Sequence, residues 1–101
     1  MRKLQKESIQ NKSVEAETSN HPQHQITALV NLYNAEQIIE LEEASRELLQ
    51  KHPQSSIVMN ILGMALSDQS QLKESIQVFD KAIQLKPDFA EAYNNRGIAL
   101  Q

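Results

Sequence analysis

Ser55-Ser56-Ile57-Val58-Met59-Asn60-Ile61-Leu62-Gly63-Met64-Ala65-Leu66-Ser67 is the stretch whose reading decides the fold. Ser55 or Ser56 is placed to cap a helix, its hydroxyl accepting from backbone N–H groups that the first turn leaves free. The helix then runs over about 56–67, and Met59, Leu62, Gly63 and Leu66 share one side of it at three- and four-residue intervals. Gly63 sits in the middle of that side, where it lowers helix propensity by about 1 kcal/mol relative to alanine. A glycine retained at such a position marks close contact with another helix. That helix reads over about 71–85, started by Ser70, with Leu72, Ile76, Phe79 and Ile83 as its apolar stripe. Pro87 ends the pair, since a proline disfavours helical geometry in the residue before it.

Working outward, Asp88 with Glu91 three residues later reads as the cap of a further helix, whose buried side is Phe89, Tyr93, Gly97 and Leu100. Toward the N-terminus, Pro53 stands 34 residues before Pro87 and closes another pair. Its first helix spans about 23–33 with Ile26, Leu29, Val30 and Leu32 apolar. Asn34, with Gln37 in the capping-box arrangement, is expected to start the second over about 36–51, striped by Ile38, Leu41, Leu48 and Leu49. Residues 1–21 hold only Leu4, Ile9 and Val14 as sizeable aliphatics, too little burial to offset the entropy of ordering them. They read as a flexible polar segment or a weak capping helix.

The spacing Met59-x2-Leu62-Gly63-x2-Leu66, then Ser75, Phe79, Ala82 and Pro87, resembles a tetratricopeptide repeat. Tyr93, Gly97 and Leu100 resemble the start of a following copy, and Ala28, Leu29 and Leu32 an earlier one. Gln25, Leu41 and Ser45 depart from that pattern, in place of a bulky, a small and an aromatic residue. The resemblance implies an all-α, α-α superhelix of about two and a half repeats and five main helices, divided at 22–55, 56–89 and a partial 90–101. It also implies that Gly63 is crossed against the small residue Ser75. The run 88–100 is similar to repeats of bacterial multidomain proteins whose arrays precede a glycosyltransferase, sulfotransferase or methyltransferase domain. Because Tyr93, Gly97 and Leu100 await a following helix, the chain is expected to be an N-terminal fragment of a larger protein; the alternative is self-association through 88–101.

The family's function is to bind a peptide or partner helix in the concave groove lined by the first helices of successive repeats. Carried over by position, the partner-binding residues here are Ile26, Val30 and Tyr33; then Ile57, Asn60, Met64 and Asp68; then Glu91, Asn94, Asn95 and Ile98. Ile26, Val30, Ile57, Met64 and Ile98 would form an apolar floor, with Tyr33 at the rim and Met64 able to adapt its shape. Domains that grip chaperone carboxyl termini carry a lysine and an asparagine where Ile26 and Val30 stand, so that clamp is absent. The asparagine ladder of O-linked N-acetylglucosamine transferases has one rung here, Asn95, against Ile61 and Thr27 in the other copies. The competing reading of the apolar positions is packing against the N-terminal segment or a neighbouring helix.

The remaining composition narrows the function classes. Beyond residue 21 there are six basic against ten acidic side chains, a balance that gives no support to phosphate-backbone binding. Cysteine is absent, and with it disulfides, thiol nucleophiles and zinc-thiolate sites. No apolar run reaches the ~20 residues of a membrane span, and the start Met1-Arg2-Lys3-Leu4-Gln5-Lys6-Glu7 lacks a signal peptide's apolar segment; a cytoplasmic protein without membrane contact is the expectation. His21 and His24 are neighbours without a third metal ligand, and His52 merely closes a helix. Glu40, Glu42, Glu43 and Glu47 read as a solvated helix face, with Glu42 and Arg46 at the favourable four-residue spacing. No glycine-rich phosphate loop or catalytic serine–histidine–aspartate set is present, so no catalytic residue, metal or cofactor is assigned.

Overall fold

The structure is a computed structural model that describes residues 22–101. The expectation for residues 1–21 lies outside the described residues. Within them the chain is all-α: α1 (Gln23–Asn34), α2 (Ile38–Lys51), α3 (Ser56–Asp68), α4 (Leu72–Leu85) and α5 (Ala90–Leu100). α1 packs on α2 and α3 on α4 as helical hairpins; α2 also packs on α3, and α5 on α4. The first helices follow one another, α1 touching α3 and α3 touching α5, while α2 and α4 meet only through side chains. This is an α-α superhelix of the tetratricopeptide type, with α1, α3 and α5 on one side.

Both turns within the hairpins have the same backbone. Glu36 and Ser70 adopt left-handed φ values of 60° and 62°. In each turn a hydrogen bond spans five residues, Gln37 N–H to the Leu32 carbonyl and Gln71 N–H to the Leu66 carbonyl, at 3.0 and 2.9 Å. This closure satisfies carbonyls that a helix end would otherwise leave free. It also corrects three sequence expectations. Asn34 is the last residue of α1, not the cap of α2; Ser70 is the left-handed turn residue; and α2 and α4 begin behind Gln37 and Gln71, neither of which caps with its side chain. Between hairpins, His52 and Lys86 are extended ahead of their prolines, with φ −132° and −137°. Ser55 is the cap of α3, its Oγ accepting from Val58 N–H at 3.3 Å. Asp88 does not cap α5, whose N-cap is Phe89 without a side-chain bond.

The core begins as one cluster through α1, α2 and α3, built from Ile26, Leu29, Leu41, Leu48, Val58, Ile61 and Ala65. It continues between α3 and α4 with Leu62, Leu66, Phe79 and Ala82. Here the expectation for Gly63 holds: the Ser75 hydroxyl donates to its carbonyl at 2.8 Å. A Cβ built on Gly63 would lie 2.5 Å from the Phe79 ring, so only glycine admits that ring. On α4, Leu72 is half exposed and Ser75 is buried in the stripe instead. The expected buried side of α5 is also corrected. Ala92 and Ala99 are buried, whereas Tyr93, Gly97 and Leu100 are exposed and Phe89 is half-buried. α5 rests its alanine flank on the preceding pair, and no described helix covers the other flank.

α2 is tied to the second hairpin by polar side chains. Arg46 bonds Glu42 at 2.9 Å and Glu74 of α4 at 2.8 Å, and Gln69 donates to Glu42 at 2.8 Å. Glu42 is therefore not part of a freely solvated face, unlike the exposed Glu40, Glu43 and Glu47. The Gln69 amide, then the Arg46 guanidinium, holds the Glu42 carboxyl below its ordinary value.

Candidate functional site

α1 and α3 lie side by side and leave a cleft of about 310 Å³ between them. α1 contributes Ile26, Val30 and Tyr33; α3 contributes Ile57, Asn60, Ile61 and Met64; Lys86 and Phe89 from the turn before α5, with Glu91 in the first turn of α5, close one end. The periodicity explains the selection, because positions 26, 30 and 33 share one side of α1, as 57, 60, 61 and 64 do of α3. The walls are mainly aliphatic, with a phenol, a carboxamide, a carboxylate and an ammonium as the polar groups. The Lys86 Nζ stands 5.2 Å from the centre of the Phe89 ring, a cation–π contact that fixes both at the mouth.

Seven of the residues expected to bind a partner meet in this cleft: Ile26, Val30, Tyr33, Ile57, Asn60, Met64 and Glu91. Asn60 is only 3% exposed, and its amide is engaged from α5. Asn95 donates to its oxygen at 3.1 Å, and its own NH₂ reaches Glu91 at 3.5 Å. Asn95 thus stands behind the cleft, holding α5 to α3. Asp68, Asn94 and Ile98 are exposed and are not among the lining residues. Asp68 ends α3, and the other two are on α5, where no further helix forms an opposite wall.

Sequence reasoning missed Ile61, Lys86 and Phe89. Positional transfer looked only along the first helices, whereas Lys86 and Phe89 reach the cleft from the turn around Pro87. A lysine three residues before an aromatic, across a proline that stops the helix, was the available signal. Phe89 was instead assigned to the buried side of α5.

Among the described residues no group of His, Cys, Asp or Glu is placed to hold a metal ion, and no helix is long and apolar enough to cross a membrane. An aliphatic cleft with a few rim charges suits recognition of an apolar stripe on another polypeptide.

Two hairpins with one shared turn geometry, stacked through their first helices, define a helical-repeat protein. Residues 63–101 match the family model described as TPR repeat, and the helical arrangement of the described residues is consistent with a tetratricopeptide repeat domain. Protein FlbA of Caulobacter vibrioides (strain ATCC 19089 / CIP 103742 / CB 15) is 35% identical over 72 residues, which make up 71% of this chain and 12% of FlbA. The chain therefore spans a small part of the length of the curated relative it matches. Tetratricopeptide repeats in general mediate protein–protein interaction and are typically non-catalytic.

Proposed function

We propose that residues 22–55, 56–89 and 90–101 are successive repeats of one protein-interaction module, and that the cleft between α1 and α3 receives the apolar stripe of a peptide or partner helix. The observation that carries this reading is the convergence of Ile26, Val30, Tyr33, Ile57 and Met64 on one open cleft. Val30 is 43% exposed there, although it is an aliphatic side chain on a helix with a packed face. The occupant places aliphatic or aromatic side chains against Val30 and Met64. Lys86 and Glu91, of opposite charge at one end, set its direction. Asn60 and Asn95 keep the floor rigid by joining α3 to α5. No described residue favours the alternative, a substrate-recruiting arm of a bacterial glycosyltransferase, sulfotransferase or methyltransferase, over this reading.

The test uses a phage-displayed peptide library panned on the protein, with Val30→Asp and Met64→Asp as variants. Both should remain helical by circular dichroism and lose the peptides that the parent chain enriches, by at least about tenfold in affinity, the effect of desolvating a new charge in an apolar site. Glu43→Lys, on an exposed part of α2, should retain them. Peptides held equally by all variants would refute the assignment of the cleft.

A further inference from the structure

Asn60 carries a donor that its surroundings use poorly. Its side chain is almost wholly buried, and its oxygen accepts from Asn95 at 3.1 Å, an ordinary hydrogen bond. Its NH₂ has two protons to give and only long contacts to receive them, the Glu91 carboxylate at 3.5 Å and the Met64 Sδ at 3.9 Å. A thioether sulfur is a weak acceptor, so the amide is left short of a full partner on that side. Met64 is half-buried and lines the open cleft together with Val30, where a molecule as small as hydrogen peroxide has access to it.

We propose that Met64 is a redox-sensitive modification site: a peroxide converts it to the sulfoxide, and the change closes the cleft to apolar partners, which presupposes that the cleft receives an apolar stripe. The sulfur gives an electron pair to one peroxide oxygen. The S–O bond forms, the O–O bond breaks, and the proton on the transferred oxygen leaves with the departing hydroxide as water. Sulfur loses two electrons and the peroxide gains them. The product oxygen is a strong acceptor on the very atom that the Asn60 amide already faces, so the 3.9 Å contact gives way to a hydrogen bond to oxygen. In the cleft wall a flexible apolar side chain has become a polar one. An aliphatic or aromatic group of the partner must then pack over a polar atom, which lowers affinity. Methionine sulfoxide reductases restore the thioether, so the change is reversible. Met59, the other methionine among the described residues, lines a separate groove with Leu49, Pro53 and Val78, and its oxidation leaves the cleft as it was.

The experiment treats the full chain with hydrogen peroxide in a Met59→Leu background, a volume-conserving change, and locates the added oxygen by mass spectrometry. Met64 should be oxidised while the chain stays helical by circular dichroism. Its affinity for a library peptide that Val30→Asp releases should fall by at least about tenfold. A chain carrying both Met59→Leu and Met64→Leu, which keeps Met1, should hold the same peptide equally before and after peroxide. A second readout needs no peptide: one proton of the Asn60 side-chain NH₂ should move downfield on oxidation in ¹⁵N-resolved spectra, and should not move in the doubly substituted chain. Undiminished affinity for such a peptide at oxidised Met64, or a fall that the doubly substituted chain shares, overturns the proposal. So does a Met64 that resists peroxide under conditions that oxidise free methionine. Should no library peptide depend on Val30, it is the cleft assignment that fails, and an unmoved amide resonance would then separately refute the bond to Asn60.

Discussion

The two hairpins distribute bulk in opposite ways. In the second, the small residue is on the first helix and the ring on the second: Gly63 under Phe79. At the positions 34 residues earlier the order is inverted, with Leu29 on α1 and Ser45 on α2, both buried. Leu41 and Leu48 stand where the second hairpin has Ser75 and Ala82. The inversion has a polar consequence. The Ser75 hydroxyl bonds a helix carbonyl, whereas the Ser45 hydroxyl finds no partner among the described residues. One backbone arrangement thus accepts two side-chain solutions, because what packing fixes is the summed volume at the crossing and not the helix that supplies it. The solution with glycine and a ring is the tighter and the less tolerant of change.

The comparison breaks most readily at Phe79. Phe79→Ala should cost about 3–5 kcal/mol in urea denaturation, the usual effect of emptying a fully buried aromatic position. If bulk at the crossing is interchangeable, Gly63→Leu combined with Phe79→Ser, which copies the first hairpin into the second, should be more stable than Phe79→Ser alone. The coupling between the two changes should exceed about 1 kcal/mol.

Next in size is a pair of glycine substitutions of opposite sign. Gly63→Ala should destabilise by about 1–3 kcal/mol, because its methyl meets a ring held by packing on all sides. Gly97→Ala should stabilise by about 1 kcal/mol, the helix-propensity gain with no clash to oppose it. Thermal denaturation of the two chains checks both signs at once.

The serines give a smaller contrast. Ser45→Ala should stabilise by about 1 kcal/mol, since it removes an unbonded buried hydroxyl and raises helix propensity; Ser75→Ala should cost up to about 1 kcal/mol through the lost bond to Gly63. Equal effects at the two sites would show that their hydroxyls have equivalent surroundings.

The smallest effect concerns what joins the hairpins. The Glu42 carboxyl is held below its ordinary value by Gln69 and Arg46. Its stabilisation is present above the ordinary carboxylate value and is lost as pH falls through the lowered one. Wild type should therefore exceed Glu42→Gln in stability near neutral pH by less than about 1 kcal/mol, as Arg46 and Glu74 are well exposed. The difference should vanish in acid, as urea titrations across pH would show.

Much of the fold was legible because helix-forming patterns are local. Three- and four-residue apolar spacing placed the five described helices, and prolines at 34-residue separation placed the turns between hairpins. The turns inside the hairpins were misread because Asn34 and Ser70 carry capping chemistry, yet closure depends on left-handed Glu36 and Ser70, residue types that rarely signal that conformation. The cleft was legible where it is built from single helix faces, as at Val30 and Met64. It was not where a turn folds into it, as at Lys86 and Phe89.

By itself the sequence determined the helices, their pairing and the close helix contact at Gly63, since each follows from periodicity or from the size of one side chain. Tertiary structure alone decided which polar groups found partners. Ser45 and Ser75 are the same residue, and Asn60 reads as a groove residue until α5 brings Asn95 and Glu91 to its amide. Hydrogen bonding depends on atoms from distant segments meeting within about 3 Å, and no local pattern encodes that distance.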